Sequence, residues 1–167
     1  MEPTTDEVTA TFTAAGRQAL LDWMLGLSAV TPPANVWLAL CSGMPTDDDS
    51  SDSFPEVPPS WSDEEGGVLT TGYFRVSYPF GELVLSDDQD ENPAWNTLGY
   101  ATYANGWEVV FPEAVDDWPP VMAWAMLDAE TGGTVLAYGP VTLDVYAGDQ
   151  VIIPEGGLSL SAVPLEA

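Results

Sequence analysis

In a protein of this composition, chemistry falls to carboxylates, because little else is available. The 167 residues hold 27 Asp and Glu against two basic residues, Arg17 and Arg75, with no histidine, and the formal net charge is −25. Without histidine the commonest general base is missing, and neither a Ser-His-Asp nor a Cys-His arrangement can be built. Without lysine there is no Schiff-base amine and no phosphate-cradling ammonium. The pairs Gly66-Gly67 and Gly156-Gly157 lack the phosphate-loop pattern. What remains is a carboxylate pair of the glycosidase kind. Among 27 acids some pair at a suitable separation arises by number alone, so the pattern singles out none. The composition reads as that of a non-enzyme.

Metal binding is the next chemistry that carboxylates can do. Asp88, Asp90 and Asn92 have the alternate-residue spacing that opens a calcium loop. Pro93 then stands where an EF-hand takes Gly, and Gly99 where it takes the bidentate Glu, so the EF-hand reading fails. A looser structural calcium site there, or around Asp47–Asp52, competes with a hydrated acidic loop, and the hydrated loop is the favoured reading. No cofactor is expected. The tryptophans divide by context. Trp37, Trp107 and Trp124 lie in apolar strand-like runs and read as core. Trp61, Trp95 and Trp118 sit in acidic, proline-bearing loops and read as interface anchors, since Trp is enriched at binding hot spots. Exposed aromatic rings could also stack on sugars, which keeps a carbohydrate-binding module as an alternative.

The charge narrows the partners. Binding nucleic acid or an anionic membrane surface requires Lys or Arg to displace counterions, and this chain has almost none. The acidity is either adaptation to a saline medium, where screening shortens self-repulsion, or complementarity to basic partners or divalent cations. The single Cys41 forbids an intrachain disulfide and, within an apolar run, reads as a buried inert thiol. The polar Met1-Glu2-Pro3-Thr4 start does not resemble a signal peptide, and no apolar run is long enough to cross a bilayer.

The elements that must position these residues are mostly strands. Residues 1–12 read as an N-terminal arm and 13–167 as a single β-rich domain. Over 13–27, Leu20, Trp23, Met24 and Leu27 recur at helical spacing behind a Thr13 cap, and Gly26 weakens the last turn. After Thr31-Pro32-Pro33 the period becomes two. In Asn35–Cys41, Val36, Leu38 and Leu40 face one way and Trp37, Ala39 and Cys41 the other, as in a central strand. Residues 42–67 form a long acidic insertion, functional or mobile, and Ser86–Pro93 a second acidic loop. Further strands are expected at Tyr73–Tyr78, Glu82–Leu85, Gly99–Tyr103, Trp107–Phe111, Val121–Leu127, Thr134–Tyr138, Val141–Tyr146, Gln150–Ile153 and Leu158–Ala162. Short strands separated by Gly, Pro, Asn and Asp predict a mainly β fold: an antiparallel β-sandwich or barrel-like fold with one N-terminal α-helix and long acidic loops.

Several motifs occur in an order with a family resemblance. These are Ala19-Leu20-Leu21-Asp22-Trp23-Met24-Leu25-Gly26, Val36-Trp37-Leu38-Ala39-Leu40-Cys41 leading to Pro45-Thr46-Asp47, and Gly72-Tyr73-Phe74-Arg75-Val76. Phe111-Pro112-Glu113-Ala114 with Trp118 follows, then Asp128-Ala129-Glu130-Thr131-Gly132-Gly133 with Leu136-Ala137-Tyr138-Gly139, and Gly148-Asp149. From about Gly16 onward the chain resembles small tailed-phage virion proteins, labelled tail fibre proteins and also considered as capsid decoration or minor capsid proteins. The acidic stretches 47–66 and 86–92 depart from that pattern. The resemblance implies a virion structural protein. The first expectation is a decoration or cement protein on the outer capsid, bound to the major capsid protein as a symmetric homo-oligomer, with a trimer expected. The alternative is a tail-fibre or baseplate component among tail proteins, touching host glycans. Arg75 matches the family's arginine. It either pairs with a nearby carboxylate of its own chain or clamps a carboxylate at a subunit boundary.

Overall fold

A computed structural model describes residues 11–27, 33–46, 53–79, 83–85 and 102–161. In chain order it contains β1 (Thr11–Phe12), α1 (Ala14–Leu25), β2 (Asn35–Cys41), β3 (Ser60–Ser62), β4 (Val68–Thr70), β5 (Val76–Pro79), β6 (Leu83–Leu85), β7 (Thr102–Asn105), β8 (Val109–Glu113), β9 (Val121–Leu127), β10 (Val135–Leu143), β11 (Gln150–Ile153) and β12 (Ser159–Ser161). Every strand pairing among the described residues is antiparallel. The main sheet has the order β1-β10-β9-β2-β5, beside a β11-β8 ribbon, a β12-β7-β6 sheet and the β3-β4 hairpin. The fold is mainly β with one N-terminal helix, and among the described residues no sheet closes into a barrel.

The two apolar faces of β2 dictate its central place. Leu38 pairs with Met126 and Leu40 with Trp124 on β9, and these side chains share one core with Val109 and Phe111 of β8. Ala39 pairs with Ala125 and Cys41 with Ala123 on the opposite face, where Leu127, Val135 and Phe54 join them. Leu38 and Leu40 are buried, and each contributes about 2 kcal/mol by leaving water. Cys41 is buried, as its apolar surroundings predict.

The helix begins where its cap predicts and ends earlier. Thr13 Oγ1 accepts a 2.9 Å hydrogen bond from Gly16 N–H, relieving one of the unpaired first-turn donors. Its hydroxyl also donates to the Val135 carbonyl of β10. Gly16 permits the helix to lie on that strand, because a Cβ there would fall 2.0 Å from the Leu136 carbonyl oxygen. Gly26, expected only to weaken the last turn, adopts φ 63° and closes the helix after Leu25. Its left-handed conformation suits glycine.

Three expectations are revised. Thr11 and Phe12, assigned to the arm, pair with Tyr138 and Ala137 as an edge strand. Within the insertion 42–67, Ser60–Ser62 forms the first strand of a hairpin whose second strand is Val68–Thr70. The separate strands expected at Thr134–Tyr138 and Val141–Tyr146 are one strand, β10, running through Gly139-Pro140. Pro140 has no N–H to give, yet beyond Tyr138 the described residues place β9 on only one side of β10, an edge position where proline is tolerated.

Candidate functional site

Arg75 is the most highly connected side chain of the expected site. It lies just before β5. Its Nε donates to Glu56 Oε1 and its Nη2 to Glu56 Oε2, both at 2.8 Å, forming a two-pronged ion pair. Nη1 donates to the carbonyls of Ala129 and Gly132 at 2.9 and 2.8 Å. The guanidinium also lies 5.4 Å from the centre of the Phe54 ring. Arg75 is 8% exposed, so its planar fork is used inside the monomer, where it ties the 53–59 segment to the 128–133 turn. Of the two readings of Arg75, these contacts are those of pairing within its own chain.

Tyr73 extends the network. Its hydroxyl donates to Glu56 Oε1 at 3.0 Å and accepts from Leu40 N–H at 3.0 Å. Burial first, and the Glu56 charge second, push the tyrosine well above its ordinary value, so it stays neutral. For Arg75, burial alone lowers the proton affinity, but the hydrogen bonds to Glu56 and that carboxylate's charge outweigh it, and the direction is upward. Glu56 and Tyr73 were not among the expected site residues. The signal for Glu56 was its setting: it stands between Pro55 and Val57-Pro58, an acid embedded in apolar sequence within an otherwise solvated acidic stretch.

The tryptophans sort differently from expectation. Trp118 is 4% exposed. It packs edge-on to Tyr73 at 5.5 Å and donates from Nε1 to the Thr71 carbonyl at 2.6 Å. It therefore belongs to the core, because the segment after β8 folds beneath the β3–β4 hairpin. Trp61 is half-buried and donates to the Asp117 carbonyl at 2.8 Å, pinning that hairpin down. Trp107, expected in the core, is 41% exposed and tilts against Tyr78. Trp124 is buried as expected, although its Nε1 lacks a hydrogen-bond partner. Trp95 and the calcium candidates Asp88, Asp90 and Asn92 lie outside the described residues. Among the described residues no cluster of three or more His, Cys, Asp or Glu could hold a metal ion, and no helix is long and apolar enough to cross a membrane.

Where the main sheet meets the β8–β11 ribbon, two seams stay open. Between β10 and β11 an apolar cleft of about 450 Å³ reaches Leu40 and Trp124. Between β5 and β8 a shallower groove of about 440 Å³ includes Trp37, Phe74 and Val110. Phe74 is 63% exposed beside the buried Arg75. These surfaces offer contact area and ring faces, not an array of reacting groups.

The comparisons agree with that character. No curated protein matches the chain. A family model described as "Podophage GP4 fiber I protein gp80" matches residues 11–161, which takes in every described strand and the helix. That match carries the phage-virion resemblance and the non-enzymatic reading, and it fits the tail-fibre alternative better than the capsid-decoration expectation. The chain belongs to this family of phage fibre proteins, structural and non-enzymatic components of the virion.

Proposed function

We propose that this protein is a fibre module of the tail apparatus, present as a homo-oligomer with a trimer as the first expectation, and joined to other tail proteins. The observation that carries the reading is the family match from residue 11 to residue 161, supported by a compact antiparallel core whose polar networks serve folding. A fibre needs a stiff module with contact surfaces, and modest contacts become strong when several copies act together.

Copy number and position test the proposal. Quantitative mass spectrometry of purified particles should give about three to twelve copies, as expected of tail symmetry rather than of a repeating shell. Antibody labelling should decorate the tail. Hundreds of copies with label over the whole head would return the protein to the capsid-decoration reading, and absence from purified particles would defeat both. A second reading, contact with host glycans, is favoured by the exposed rings of Phe74 and Trp107. Trp107→Ala particles that assemble normally but adsorb to host cells several-fold more slowly would support it. Unchanged adsorption would count against it.

A further inference from the structure

The helix α1 carries two apolar faces, and the monomer covers one of them. The inner face is accounted for, with Gly16 against the Leu136 carbonyl and Ala19 and Trp23 packed on the core. The opposite face carries Leu21 and Leu25, one turn apart, at 52% and 64% exposed. Leu27, just past the cap, is exposed as well. A surface helix normally pairs an apolar stripe with a polar one. Leucines on both sides mean that a second surface is expected to bury the outer stripe.

Charge selects the occupant. Arg17 and Asp22 cancel, so α1 has no net charge in a chain whose formal total is −25. Asp22 is further engaged by Gln18 Nε2 at 2.7 Å. Two copies meeting through acidic loops would bring like charges together, whereas copies meeting through α1 would not. A partner chosen by charge complementarity would be basic and would seat on the acidic surface elsewhere, not on a neutral leucine stripe. We infer that the Leu21–Leu25 face of α1 packs against a second copy of this chain and holds the protomers of the fibre together. This deepens the homo-oligomer reading proposed above by assigning it a face.

Light scattering of the full chain over a range of concentrations tests the assignment. The wild type should be oligomeric. The double variant Leu21→Glu/Leu25→Glu should be monomeric at the same concentrations and still melt cooperatively, since both side chains are exposed in the monomer, with a midpoint that, unlike the wild type's, does not depend on concentration. A Leu25→Cys variant treated with a short bis-maleimide should form covalent dimers, with the buried Cys41 silent. Val68→Cys, 75% exposed on β4, should not. Oligomers that persist in the double variant, or cross-linking through Val68 and not Leu25, would overturn the inference and leave the homo-oligomer reading standing. A monomeric wild type would overturn both.

Discussion

Arg75 and the outer face of α1 invert the usual sorting of residues between core and solvent. One of the two cations of a chain with 27 acids is buried, while two leucines of its helix stand in water. The difference separates two tasks. Arg75 spends its donors on Glu56 and two carbonyls, so its energy goes into holding the monomer together. Leu21 and Leu25 contribute little to the monomer, so their burial is still available to an assembly. Folding and association can therefore be perturbed one at a time.

The largest effect belongs to the latch. Arg75→Ala leaves Glu56 without its cation, and the loss should be about 3 kcal/mol, near the low end for a broken buried pair because the Glu56 side chain is 23% exposed. Urea denaturation reads it directly. Tyr73→Phe should cost about 1–3 kcal/mol, since it removes the partner of Leu40 N–H and one bond to Glu56. It should also change the alkaline limb. The folded-state value of Tyr73 lies above its ordinary 10.0, so the unfolded chain gives up this proton first. The stability it confers is fully present below pH 10.0 and is lost as pH rises beyond that value toward the folded one. Denaturation midpoints should therefore fall more steeply above that pH in the wild type than in Tyr73→Phe, and equal slopes would remove Tyr73 from the account. Thr13→Ala should cost about 1 kcal/mol through the lost cap, with helix content dropping before the sheet signal. Smallest of all, Leu21→Glu/Leu25→Glu should move monomer stability by less than about 0.5 kcal/mol. A loss comparable to that of Arg75→Ala would collapse the distinction between the two regions.

Periodicity exposed the parts of the fold where side chains alone decide. β2 and β9 occupy the ranges their apolar patterns predict because both faces of each are covered. In sequence β10 looks like two strands, because Gly139-Pro140 resembles a break. The glycine is there for a neighbour: a Cβ at 139 would come 2.8 Å from Trp124 Nε1, which lies across the sheet from it. That requirement comes from the tertiary pairing and leaves no local trace. The two tryptophans that changed places make the same point. Trp107 stands beside the apolar run Val109–Phe111 yet is exposed, while Trp118 follows two acids yet is buried, because its partners Thr71 and Tyr73 come from a distant part of the chain. Arg75 was legible as one of only two cations, while its partner was marked only by the apolar sequence around Glu56, and the pairing of the two appears only in the folded chain.

The settings of the two arginines also determine how the protein meets digestive enzymes. Trypsin-like proteases cleave after lysine or arginine and need an extended, accessible stretch of chain. This sequence offers them only the bonds after Arg17 and Arg75. The first is wound into α1, and the second follows a side chain that is buried in its ion pair with Glu56, out of a protease's reach. Cleavage at position 17 would thus report unwinding of the helix, and cleavage at 75 the opening of the core, so that the chain carries its own pair of markers for local and global unfolding.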